Sequence, residues 1–182
     1  MRMSQETGIG LVATNDVHYT AGYADPSPYP ALSVQGPDLA AAALLADDYA
    51  GTAGELTASL QYIYHHTMWK ACPDAAEALE KISIVEMMHM QKLAQAIVAL
   101  GGDARFCDSA GAAWQTDEVQ YGGSLAEALH QDIASEYAAI RNYQAHIAAI
   151  ADPGIQALLR RIVLDEQVHL RIFAALLQKY DL

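Results

Sequence analysis

Four stretches of this chain repeat apolar residues with the period of an α-helix, and none shows the period of two that marks a half-buried strand. The first runs from Leu39 through "LAAAALLADDYAGTAGELTASLQYIYHHTMW" to Trp69, with Asp38 placed to cap it. A second opens at Pro73 and Asp74 and ends at the pair Gly101 and Gly102. The third, capped by Ser124, extends to about Ala151, where "DPG" breaks the chain before a fourth that runs from Ile155 almost to the end. Between the second and third, "GDARFCDSAGAAWQTDEVQYGG" from Gly102 to Gly123 has no helical period and reads as a connector. Residues 1–37 hold four of the six prolines and read as an extended arm lying along a surface. One long inner connection and two short outer ones predict an all-α four-helix bundle over residues 38–182, with a crossover between helices 2 and 3 and the N-terminal arm outside it.

The apolar stripes are interrupted in a regular way. On the third helix Leu125, Leu129, Ile133, Ile140, Tyr143 and Ile147 form a stripe whose one missing position is Glu136. On the fourth, Ile155, Leu158, Ile162, Phe173 and Leu176 surround Glu166 and His169. On the second, "ISIVEMMHMQ" sets Glu86 and His89 among Ile82, Leu93, Ala96 and Leu100. The first helix does the same more weakly, with Glu55 on a face shared by Leu45, Asp48, Thr52, Ser59 and Tyr62. Four carboxylates in one core without partners would each cost several kcal/mol, roughly, so protons or cations must accompany them. Lys and Arg are absent from these stripes, and Glu with His is a donor set that hard and borderline metal ions accept.

An E-x-x-H pair puts both side chains on one helical face. With seven His in 182 residues a single pair is weak evidence. The repeat is stronger: Glu55 precedes Glu86 by 31 residues and Glu136 precedes Glu166 by 30, so each half reads Glu, then E-x-x-H, on consecutive helices. The pattern predicts a pseudo-twofold dinuclear centre.

Composition narrows the function classes. A formal charge of -12 with only ten Lys and Arg disfavours a nucleic-acid partner and suits small cations. No apolar run is long enough for a signal peptide or a membrane span, so the chain is expected in the cytoplasm, with no membrane partner. Cys72 and Cys107 lack a C-x-x-C partner and are expected to be ordinary small apolar residues. His65, His66, His130 and His146 lie off the seam and are expected at the surface; Asp132 and Tyr137 are candidate partners for the ligand histidines.

"ELTASLQYIYHH", "EMMHMQKLAQAIVALGG", "DIASEYAAIRNYQAHI" and "LDEQVHLRIF" together resemble the four helices of bacterioferritins, over about residues 45–177. The joint pattern is specific to the ferritin-like superfamily, which includes rubrerythrins and manganese catalases. The resemblance implies that Glu86 and Glu166 bridge two metals, Glu55 and Glu136 are terminal carboxylates, and His89 and His169 each take one metal. Tyr62, seven residues after Glu55, resembles a tyrosine kept beside the metals, which supplies a hydrogen bond or an electron; it is the candidate catalytic residue. The implied cofactors are two Fe ions, with two Mn or a mixed pair as alternatives. Met87 matches a haem-ligating position, yet haem is not expected, because Met88 and Met90 make the segment methionine-rich and core packing the simpler reading.

The resemblance further implies a dinuclear oxidoreductase of ferroxidase or peroxidase type acting on O2 or hydrogen peroxide, with manganese-catalase-like disproportionation or iron storage as alternatives. A homo-oligomer and an unidentified electron donor are the implied partners. Only 13 residues follow His169, so the short fifth helix of ferritin cages is not expected. Ala139 stands where rubrerythrins carry a further Glu, and the rubredoxin cysteines are missing. "LVATNDVHYT" from Leu11 is similar to a segment of the phosphoesterase-like domain of bacterial replicative polymerases, and with no other element of that fold present it is taken as coincidence or a misassigned start.

Overall fold

The computed structural model describes residues 19–182. The polymerase-like segment up to His18 and the first half of the Pro-rich arm therefore lie outside the described residues. Helices span Leu39–Ala50 (α1), Glu55–Met68 (α2), Pro73–Ala99 (α3), Leu125–Ala149 (α4) and Pro153–Lys179 (α5). Their starts follow the expected capping: Asp38 Oδ1 accepts from Ala41 N at 3.0 Å, Ser124 Oγ from Glu127 N at 3.1 Å, and Asp152 Oδ1 from Gly154 N at 2.8 Å. Among the described residues no strand forms beyond an isolated bridge between Cys107 and Ala113, and no helix is long and apolar enough to cross a membrane. Cys72 and Cys107 are unpaired and half-buried.

The first helix differs from expectation. It is not continuous: Gly51 adopts an extended conformation, and α1 and α2 are separate segments. Gly51 N donates to Asp47 O at 3.0 Å, and Gly54 N closes back on Gly51 O at 2.9 Å. A Cβ at Gly51 would stand 2.6 Å from Asp47 O, and one at Gly54 2.8 Å from the same atom. Only glycine tolerates this approach of backbone to backbone. Thr52, read as part of the core face, lies in the break, and Glu55 becomes the first residue of α2, where a helix N-terminus favours its negative charge. Gly54→Ala is accordingly expected to destabilise the protein by about 1–3 kcal/mol in chemical denaturation and to shift Glu55.

The buried apolar residues form two clusters. One contains Leu45, Leu93, Ile97, Leu100, Tyr143, Ile155 and Ile162; the other contains Tyr62, Leu79, Ile82, Leu125, Leu129 and Phe173. Along α1–α2 and α5 the chain passes from the first cluster to the second, and along α3 and α4 from the second to the first. Hence α3 and α4 run parallel although they are consecutive, so residues 100–124 must travel the length of the bundle, roughly 35–40 Å for helices of this size. The connector contains a 3-10 turn, Thr116–Glu118, and is fastened to the first two helices. Ser109 N donates to Asp47 Oδ1 at 2.7 Å, Trp114 Nε1 to Thr57 Oγ1 at 2.9 Å and Gln120 N to Gln61 Oε1 at 3.0 Å.

Candidate metal centre

On all four helical rows the residues between the two apolar clusters are polar, and there Glu55, Glu86, His89, Glu136, Glu166 and His169 come together. Each is at most 3% exposed. They form two groups that share two members. Glu55, Glu86, His89 and Glu166 make one, and Glu86, Glu136, Glu166 and His169 the other, each with its donor atoms within 4.8 Å of one another.

The two shared carboxylates divide their oxygens between the halves. Glu86 turns Oε2 to His89 Nδ1 and Oε1 to His169 Nδ1, both at 2.9 Å. Glu166 turns Oε1 to His89 Nδ1 at 3.2 Å and Oε2 to His169 Nδ1 at 2.9 Å. The unshared carboxylates complete each side, with Glu55 Oε2 3.5 Å from His89 Nδ1 and Glu136 Oε1 3.5 Å from His169 Nδ1. Each of the two Nδ1 atoms thus faces three carboxylate oxygens and carries at most one proton to offer them. Glu86 Oε1 and Glu166 Oε1, although close to a nitrogen, are out of line for a hydrogen bond and stay unsatisfied in a dry interior. Convergent, unsatisfied oxygen and nitrogen donors fit two cations better than they fit protons.

The electrostatics agree. Burial, then the neighbouring Glu86 and Glu166 charges, raises the Glu55 and Glu136 carboxyls well above their ordinary value. For His169 burial acts downward, but Glu86 and Glu136 outweigh it and raise it well above normal. In His89 the same burial is outweighed by Tyr29, Glu166 and Glu55. Burial alone would raise Glu86; the two imidazoles, His169 first, bring it below normal instead.

Two tyrosines cross between the halves. Tyr62 OH donates to Glu136 Oε1 at 2.7 Å, and Tyr143 OH donates to Glu55 Oε1. Both rings are buried. Tyr143, read from the sequence as core packing, follows Glu136 by seven residues as Tyr62 follows Glu55, and that repeated spacing was the signal available for it.

Outside this layer several expectations change. His65 is not at the surface: it is fully buried, with Nδ1 2.9 Å from Asp132 Oδ1, and Gln61 Nε2 donates to the same oxygen at 2.9 Å. Asp132 therefore serves His65, not a ligand histidine. Tyr137 is 53% exposed and far from such a role. His146 is half-buried against Asp48, Nδ1 to Oδ2 2.7 Å. The partner His89 does have is Asp165, whose Oδ2 lies 3.0 Å from Nε2. Met87 is 54% exposed and does not pack in the core of the chain.

The family model described as a ferritin-like domain matches residues 50–182. No curated protein sequence matches the chain significantly. Among solved structures, a manganese catalase from Anabaena is similar with a TM-score of 0.80 at 24% identity, covering 86% of this chain and 80% of its own. Bacterioferritin from Mycobacterium tuberculosis is similar with a TM-score of 0.69 at 25% identity, over 81% and 89% of the two chains. Rhodobacter capsulatus bacterioferritin, whose structure has a metal-free dinuclear site and haem iron, gives 0.69 at 22% identity over the same shares. With its bundle, its crossover and a family match that covers most of its length, the chain belongs to the ferritin-like domain family.

Proposed function

We propose that the protein is a dinuclear metal carboxylate oxidoreductase that acts on O2 or hydrogen peroxide, with iron as the metal. The reading is carried by one observation: the split of Glu86 and Glu166, each with one oxygen toward His89 and one toward His169. Glu55, Glu86, His89 and Glu166 would hold one ion, and Glu86, Glu136, Glu166 and His169 the other. When bound, a pair of Fe(II) ions supplies two electrons together, enough to reduce one hydrogen peroxide to water.

The chain's own residues prepare this. Burial and the Glu86 and Glu166 charges favour the protonated form of Glu55 and Glu136 without metal, and such protons must leave before the oxygens can act as ligands, so loading strengthens as pH rises. Tyr62 and Tyr143 hold those two carboxylates from the opposite half through their hydroxyls; at Glu55 this leaves Oε2 toward His89, and at Glu136 the held oxygen, Oε1, is the one that faces His169. The apolar clusters on either side keep bulk water away, which strengthens every charge interaction between them. Tyr62, as donor to Glu136, is the residue whose replacement by Phe is expected to slow turnover without loss of fold.

The oxygen and nitrogen donor set accepts Mn(II) as readily as Fe(II), which supports a second reading as a manganese enzyme that disproportionates peroxide. One experiment separates the readings: the chelated protein is loaded anaerobically with Fe(II) or Mn(II), desalted and analysed, and then given O2 or peroxide. About two ions per chain and O2 or peroxide consumption with iron are expected. Oxygen evolution with manganese alone would favour the second reading, and failure to retain either metal would sink both.

A further inference from the structure

The two halves of the centre differ in what stands behind their histidines. His89 Nε2 meets Asp165 Oδ2 at 3.0 Å, whereas His169 Nε2 is buried with no hydrogen-bond partner among the described residues. The pseudo-twofold repeat explains why. Asp165 immediately precedes Glu166 and crosses to the histidine of the other half; the equivalent position before Glu86 is Val85, which has no carboxylate to offer His169.

Asp165 is itself held from outside the bundle. Its Oδ1 accepts from Asp25 N at 2.6 Å and from Arg161 Nη1 at 2.6 Å, and its Oδ2 also accepts from the Tyr29 hydroxyl. Arg161 also binds the strap that supplies Asp25 twice, Nε to Ser27 O at 2.8 Å and Nη2 to Asp25 O at 2.6 Å. The Tyr29 ring stands edge-on to His89 with centroids 6.3 Å apart, while Lys92 Nζ lies 4.1 Å from its centre. A segment 60 to 64 residues before His89 in sequence thus closes a hydrogen-bonded path, Tyr29 to Asp165 to His89, on one half only.

We propose that the strap Asp25–Tyr29, acting through Asp165, positions the His89 imidazole and makes the two metal sites unequal, the His89 site binding its ion more tightly and the His169 site exchanging it more readily. The inference rests on the metal-centre reading above. Its physical basis is that a partner on the outer ring nitrogen fixes the tautomer and orientation of a ligating imidazole, and that loss of such a partner weakens metal affinity by about 10–100-fold. Tyr29, Asp165 and Arg161 are positioning residues in this scheme and touch no substrate.

The test is anaerobic titration of the chelated full-length protein with Co(II), followed by its visible absorption and by calorimetry. Wild type is expected to bind in two steps whose dissociation constants differ by about 10–100-fold. Asp165→Asn should weaken the first step and leave the second unchanged, and Tyr29→Phe, which keeps the ring and removes one hydroxyl, should weaken the first step several-fold. Circular dichroism checks that each variant is folded, and Tyr29→Phe decides the matter if Asp165→Asn is not. Two equal steps in wild type, or a change confined to the second step in the variants, would overturn the inequality. No binding by wild type would instead overturn the metal-centre reading itself.

Discussion

Glu86→Gln is expected to remove both metals from the protein, not one, while Glu55→Gln removes only the metal of the His89 half. Glu86 presents a different oxygen to each imidazole, each 2.9 Å away, so it belongs to both groups of donors. Glutamine keeps the shape but offers one weak oxygen and an amide NH2, which repels a cation. Of the two imidazoles Glu55 reaches only that of His89, at 3.5 Å from Nδ1. Metal analysis after desalting should fall from about two ions per chain to well under one for Glu86→Gln. Activity toward O2 or peroxide should drop at least about 100-fold, since loss of outer partners alone costs 10–100-fold. Full metal occupancy in Glu86→Gln would contradict the bridging role. Glu55→Gln is expected to fold, because Glu55 favours its neutral form in the metal-free protein and glutamine is a neutral group of the same shape; circular dichroism checks the fold of Glu86→Gln, whose carboxylate faces both imidazoles.

Metal should also reverse the pH dependence of stability. In the metal-free protein Glu55, Glu136, His89 and His169 all have raised pKa values, so the folded state binds more protons than the unfolded chain from the ordinary carboxylate range upward. Where the folded state holds the extra protons, stability falls as pH rises, by about 1.4 kcal/mol per unit per proton. Asp48, raised to about 6 by burial, adds to the same trend. Glu86 and Asp165, both lowered, contribute stability that is lost only below the ordinary carboxylate range. The metal-free protein should therefore be most stable near pH 5 and weaken toward pH 8. Bound metal needs those protons gone, so the loaded protein should gain stability over the same interval. At a thousandfold excess over its dissociation constant each ion adds about 4 kcal/mol, which for a chain of this size is a rise on the order of 10 °C or more at pH 8. Thermal melts at both pH values, with chelator and with Fe(II) or Mn(II), check this; a metal-free protein that gains stability from pH 5 to 8 would contradict the proton assignment.

The six polar residues of the centre were legible because each sits in a helix and the period of a helix is local. Glu86 with His89 and Glu166 with His169 need only three residues of spacing to share a face, and the apolar stripe around each states which face is inward. The helix starts at Asp38, Pro73 and Ser124 were legible for the same reason: a cap acts within one turn. What failed was whatever depends on close approach. The α1–α2 break comes from backbone atoms at Gly51 and Gly54 lying against Asp47, and a helical period runs across those positions without a signal. His65 looked like its neighbour His66, which is only half-buried, and the full burial of His65 is decided by Asp132, 67 residues away on another helix.

By itself the sequence determined an all-helical bundle and a symmetric pattern of carboxylates and imidazoles, since both follow from periodicity within single helices. The tertiary structure alone decided that the pattern is backed unequally. Tyr29 and Asp165 are 136 residues apart, and Asp165 and His89 are 76 apart, so their contacts exist only because the bundle is packed and the strap is laid across it. Hydrogen bonds between distant segments carry no period, and no repeat along the chain announces them.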